Sequence, residues 1–491
     1  MSIFRNWFPF HPERTPHPTS NRLAHADFSV HSARSGMTST ERTVKAQAWR
    51  ALALGLMVAS CGTPPSNKVE LDAYSWWRRP SERGAFDNIL SLYNSEHKDY
   101  EATNPITPNN ASEVRATLTA RLLANAPPST FQANIGADLM RWSVVDATEL
   151  DGGVTSSSRV LPLADFFVKS GLETALPHEI RDAVARVPGG TPYTVPVDVH
   201  RLNMLYYNTA SLTAFRARNA GKSFLEPEVL CPPAVLDGTD TSSKLDAKIA
   251  IGLNDDFALI LVAFESLLPA LAGSEIYDDV FRGRASGAWE AKVTSTLRCV
   301  QYLSRSFVGD TGDDWADALA KVASGATDFS IMGDWSNGEL KSWLDLGVVD
   351  AEPVPGSELV YVFTSDTFPL PVGAPHGDQA EALLGVIASP AGQLAFSAEK
   401  GSIPARNDVD LSMLGTRAVR AGQDFADDAV TKVLATSGLF PPYFPGNTLV
   451  TLLRHLTSSA SDEEDIEAVV RLLRDSQPLF ARWQARLLES P

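Results

Sequence analysis

A short apolar run, Ala51–Ala59 (ALALGLMVA), divides the chain into an address and a folding unit. Arg42, Lys45 and Arg50 precede it, and Ser60-Cys61-Gly62 follows. A membrane-spanning helix needs roughly 18 or more apolar residues, so this run is too short to span. A basic start, a short apolar core and small residues before a cut describe a secretory signal. Residues 1–36, rich in Pro, His, Ser and Arg and without apolar periodicity, are expected to be a disordered extension or a misassigned start. Residues 37–60 are the expected signal, and 61–68, with the polar run Gly62–Lys68 (GTPPSNK), a flexible tether.

What remains is 431 of the 491 residues, enough for two domains. Residues 1–60 hold seven Lys/Arg and three Asp/Glu, so losing them takes the net charge from −17 to −21. Nucleic acid and anionic lipid both need a basic footprint, which excludes them as main partners. Three cysteines exclude a disulfide-dense scaffold. Val58-Ala59-Ser60-Cys61 resembles the bacterial lipoprotein box, which implies that Cys61 carries a diacylglyceryl anchor and heads the mature chain. Cys231 and Cys299 then remain in an oxidising compartment, where they can pair.

Val69–Tyr74 alternates like a half-buried strand and runs into Ser75-Trp76-Trp77 and a loop at Pro80. Ser81 is expected to cap a helix through Gly84–Tyr93, and Val114, Leu118 and Leu122 mark a second. Further strands are expected at Thr130–Asn134, Tyr193–His200, Met204–Asn208 and Thr327–Trp335. Ile249–Ala272 reads as a buried helix after a turn at Asn254-Asp255-Asp256, and Thr451–Leu488 as helices flanking the acidic run Ser461–Glu467. Strands alternating with helices indicate an α/β fold.

Catalytic signatures fail. Gly221-Lys222-Ser223 would end a phosphate loop, but position 216 is Arg rather than Gly. His178-Glu179-Ile180-Arg181-Asp182 lacks the second histidine of a zinc-protease helix. His97, His178, His200, His376 and His455 are scattered without ligand spacing, so neither metal nor cofactor is expected. Aromatic and polar side chains do gather at strand ends. A sugar presents a C–H face and a rim of hydroxyls, which suit flat rings and fixed bidentate groups. Trp76 and Trp77 offer rings; Glu82, Gln132, Asn134 and Asp198 offer acceptors and donors. A structural role in the core is the competing reading for each tryptophan.

Several segments together resemble one family, the extracellular solute-binding proteins of carbohydrate ABC transporters, in its glucose/mannose-binding branch. They are Ser75-Trp76-Trp77 with Glu82, Pro128–Asn134 (PSTFQAN) with Gly136 and Asp138, and Tyr193–Asn203 (YTVPVDVHRLN) with Tyr207-Asn208. Met332-Gly333-Asp334-Trp335, Phe368–His376 (FPLPVGAPH) and Lys400–Arg406 (KGSIPAR) follow in the family's order. The resemblance implies a two-lobed periplasmic binding protein fold, with a hinge of crossing segments and a ligand cleft between the lobes. It implies that Trp76 and Trp77 stack on sugar, that Glu82 accepts from hydroxyls, and that Gln132 and Asn134 line the wall of the first lobe. Asp334, Trp335 and His376 match further binding positions. Asn337 stands where relatives often carry Lys, and Asn254–Asp256 is acidic where relatives often carry an aromatic. The expected first lobe is 69–180 plus about 326–375, and the second about 181–325 plus 376–491.

The function implied is a non-enzymatic, exported lipoprotein, periplasmic or at the cell surface. As a monomer it would capture a monosaccharide, glucose-like, or a short oligosaccharide for ABC permease subunits. The alternatives are a secreted carbohydrate hydrolase using acids such as Glu82 and Asp198, and a sugar sensor docking a signalling receptor.

Overall fold

The computed structural model describes residues 68–105, 111–143, 158–185, 190–252, 259–309, 313–441, 444, 446–458 and 461–488. The expected extension, signal peptide, Cys61 and all of the tether but Lys68 lie outside the described residues, as does the Asn254–Asp256 turn.

Strand Val69–Tyr74 is the centre of a parallel sheet, flanked by Tyr100–Thr103 and Thr130–Phe131. Its inward residues Leu71 and Ala73 are fully buried, as the alternation requires. A second sheet has the order Val349–Pro353, Met204–Asn208, Phe329–Met332, Ile249–Ala250, Phe307–Val308. Between them the chain crosses more than once. Val195–Pro196 and Asp366–Phe368 pair antiparallel beside Ala133–Asn134, at the edge of the first lobe. One residue further along each crossing, Asp198–Arg201 pairs with Val360–Thr364, and Ile403–Pro404 joins from the other side. This is the two-lobed α/β arrangement with a crossing-strand hinge.

The lobes are divided differently from the expected boundaries. Phe329–Met332 pairs with Met204–Asn208 and Ile249–Ala250, and Val349–Pro353 extends the same sheet, so this stretch belongs to the second lobe. Helices Gly377–Ala388 and Pro390–Lys400 pack against helix Pro80–Glu96 and belong to the first. Helix Glu463–Leu488 returns to the second lobe, against Ser274–Arg282 and Trp289–Ser304.

Local chemistry explains the element ends. Pro80 opens helix Pro80–Glu96 instead of breaking it, because its missing N–H is one that no first-turn residue would bond. Ser81 sits in the first turn and caps nothing; its N–H and Oγ both donate to Glu339 Oε1, at 2.9 and 2.7 Å. Ile249–Ala250 is a strand end and the buried helix begins at Leu259. The acidic run partly enters the last helix, where Glu463, Glu464 and Asp465 meet the positive end of its dipole. Cys231 and Cys299 form a disulfide tying the short helix Pro227–Leu230 to Trp289–Ser304.

Candidate functional site

In α/β sheets ligands bind beyond the carboxyl ends of the strands, where the topology changes direction. Three such ends meet here. Trp76 follows Val69–Tyr74, Gln132 follows Thr130–Phe131, and Asp334-Trp335 follows Phe329–Met332. The crossing strands bring Asp198, His200 and Asp366 between them.

One chain of hydrogen bonds and ion pairs runs through all of them. Gln132, 1% exposed, accepts from the Trp76 N–H at 3.1 Å and donates to Asp366 Oδ1 at 2.7 Å. The Asp366 N–H donates to Asp198 Oδ1 at 2.9 Å. His200 Nε2 lies 2.8 Å from Asp198 Oδ2 and 3.6 Å from Asp366 Oδ2, and its Nδ1 lies 2.6 Å from Asp334 Oδ1. Asp334 Oδ2 in turn accepts the Arg201 N–H at 3.0 Å. Burial alone would lower the His200 pKa, but the carboxylates of Asp198 and Asp334 outweigh it and hold the ring well above its ordinary range. The chain therefore links the first sheet, the crossing strands and the second sheet through fixed polar groups.

Two tryptophans border this chain. Trp76 is half-buried, with the Arg115 guanidinium 4.8 Å over its ring. Trp335 is half-buried and stands edge-on to the His200 ring at 5.8 Å. Asn134 is buried beside Asp366 across the strand pair, its N–H donating to Asp138 Oδ2 at 3.2 Å.

Three expected ligand contacts are otherwise engaged. Trp77 is 3% exposed, with Phe86, Phe368 and Phe396 at ring-centroid distances of 5.2, 5.8 and 5.1 Å, so it is a core residue. Neighbouring residues of an extended segment face opposite ways, which gives one tryptophan to the core and one to the strand end. Glu82 accepts from Lys400 Nζ at 2.9 Å in a buried ion pair. His376 is exposed, in a left-handed conformation (φ 52°), with its ring edge-on to Tyr100. Tyr100 opens its parallel strand, so this turn lies at the opposite end of the sheet from Trp76 and Gln132. Asn337 accepts from the Tyr206 hydroxyl at 2.8 Å and donates to the Gly401 carbonyl at 3.0 Å.

Sequence reasoning passed over Asp366, Lys400 and the place of His200 between Asp198 and Asp334. Lys400 and His200 lay inside segments singled out above; their role needed the crossing of strands far apart in sequence.

A family model described as bacterial extracellular solute-binding protein matches residues 90–423. An uncharacterized ABC transporter extracellular-binding protein of Pyrococcus horikoshii is 26% identical over 73% of this chain and 79% of its own. A xylose/arabinose-binding protein of Haloferax volcanii is 23% identical over 75% of this chain and 77% of its own. Among solved structures, the solute receptor AcbH, described by its preference for β-D-galactopyranose, superposes with a TM-score of 0.65. It is 15% identical, over 84% of this chain and all of its own. A chitin oligosaccharide binding protein gives 0.61 at 18% identity, over 85% of this chain and all of its own. These likenesses carry the fold.

Proposed function

Because this chain belongs to the bacterial extracellular solute-binding protein family, we propose that it captures a monosaccharide or short oligosaccharide between its lobes and hands it to an ABC permease. The observation that carries this reading is the convergence of Trp76 and Gln132 from one sheet, Asp334 and Trp335 from the other, and Asp198 and Asp366 from the crossing strands. The half-buried rings of Trp76 and Trp335 supply sugar-facing surface, and the Asn134 amide supplies a donor and an acceptor for hydroxyls. Relatives whose names mention xylose, arabinose or glucose support a sugar of that size. The engaged Asn337 argues for a pocket unlike that of relatives with Lys there. Cys61 would hold the protein to the membrane by lipid; no helix among the described residues is long and apolar enough to cross one. The hydrolase reading draws no support from Glu82, whose carboxylate is committed to Lys400.

The test is a thermal-shift screen of the chain from Gly62 onward against glucose, galactose, mannose, xylose, arabinose, maltose, trehalose and cellobiose. A ligand at about 100 times its dissociation constant adds about 2.7 kcal/mol to native stability, which moves the midpoint by several degrees. The expected result is a shift with one or two sugars that are recovered intact. A sugar consumed during the assay would favour the hydrolase, and no shift with any sugar would contradict the reading.

A further inference from the structure

We infer that Asp198, His200 and Asp366 form a binding site for one divalent transition cation, of the zinc or manganese kind, inside the crossing strands. One ligand atom from each residue lies within 4.8 Å of the other two. Bonds of about 2.1 Å at tetrahedral or octahedral angles separate donors by roughly 3.0–3.4 Å. The observed 2.8 and 3.6 Å from His200 Nε2 to the two carboxylates bracket that spacing.

Each residue is held by its other atom. Asp198 Oδ1 accepts the Asp366 N–H, Asp366 Oδ1 accepts from Gln132, and His200 Nδ1 faces Asp334 Oδ1. A carboxylate on the far nitrogen of a histidine is the support that metal-binding imidazoles usually carry. His200 Nε2 faces Asp198 Oδ2 at 2.8 Å, with Asp366 Oδ2 at 3.6 Å. Nε2 and Asp198 Oδ2 are fully buried and, though 2.8 Å apart, are not aligned as a hydrogen bond. A cation seated between them would take one bond from each and a third from Asp366.

Charge leads to the same conclusion. Lys400 is paired with Glu82, and Arg201 with Asp424 at 2.9 Å. Asp198, Asp334 and Asp366 surround the imidazole of His200, with Lys400 and Arg201, each already paired, as the other cations acting on them. A buried excess of negative charge is costly unless it is compensated. A proton on Nε2 reduces the excess; a divalent ion reduces it further and also engages Asp366. One imidazole with two carboxylates suits zinc or manganese better than calcium, which takes six to eight oxygens.

The test is direct metal analysis. The chain from Gly62 is stripped with chelator, equilibrated with micromolar ZnCl2 or MnCl2, desalted and measured by plasma mass spectrometry. Wild type is expected to keep about one zinc or manganese ion per chain and to melt higher with it. Asp366→Asn and His200→Gln are expected to keep less than a tenth of that, and His376→Ala, away from the cluster, to keep it all. Circular dichroism checks that each variant is folded. Wild type that keeps no stoichiometric ion would overturn the site, as would a folded Asp366→Asn that keeps as much as wild type. Neither readout involves sugar, so this inference and the sugar-binding reading fail independently.

Discussion

Glu265 lies on helix Leu259–Ala272, 3% exposed, with the Thr436 hydroxyl donating to Oε1 and no partner at Oε2. Burial pushes its pKa up to about 8, and the hydrogen bond from Thr436 only partly opposes this. In the unfolded chain a glutamate titrates near 4.3. The folded state therefore holds a proton that the unfolded state releases between these values. The contribution of Glu265 is full below about pH 4.3 and is lost as pH rises to about 8, at up to ~1.4 kcal/mol per pH unit. Glu265→Gln removes this slope. Denaturant unfolding at pH 5 and pH 8 is expected to show the variant gaining on wild type at the higher pH; parallel pH profiles would exclude a protonated Glu265.

At the scale of elements, the disulfide gives the sharpest expectation. Cys231 and Cys299 are 68 residues apart, and closing a loop of that length removes about 4 kcal/mol of unfolded-state entropy in the chain-closure account. Cys299→Ser, or reduction of wild type, is expected to cost about 2–5 kcal/mol in urea unfolding. A midpoint that does not change on reduction would count against the bond. The alternating strands were legible because burial on one face imposes period two, as Leu71 and Ala73 show. Met204–Asn208 matches its expected span to the residue. The short crossing strands read as longer runs, since nothing local marks where Pro196 hands over to Asp198. The lobe boundaries could not be read, because strand Phe329–Met332 is placed by pairing with residues more than a hundred positions earlier. At the site, the aromatic pair and Gln132 were legible as strand-end residues. The fate of Trp77, Glu82 and His376 was not, because Phe396, Lys400 and Tyr100 meet them only in three dimensions.

Over the whole molecule, the two lobes meet where glycine allows it. A Cβ on Gly338 would lie 2.5 Å from the Glu399 carbonyl oxygen, 2.8 Å from that of Lys400 and 2.7 Å from Ser81 Cβ. Helix Ser336–Asp345 belongs to the second lobe and those neighbours to the first. Gly338→Ala is expected to part them, lowering stability by about 1–3 kcal/mol. The radius of gyration from small-angle scattering should rise, and sugar affinity should fall with the fraction of closed molecules. Unchanged scattering and midpoint would contradict a close interface at this point.

The central claim is that sugar is read at the strand ends around the Asp198–His200–Asp334–Asp366 chain, with Trp335 at its border and Trp77 in the core. The most direct measurement is calorimetric titration of the sugar found in the screen into wild type, Trp335→Ala and Trp77→Phe. Trp335→Ala is predicted to bind at least tenfold more weakly, about 1.4 kcal/mol, with a melting midpoint near that of wild type. Trp77→Phe is predicted to melt lower while its affinity stays within about threefold, under 1 kcal/mol. The reverse pattern, affinity lost with Trp77 and kept without Trp335, would contradict the account.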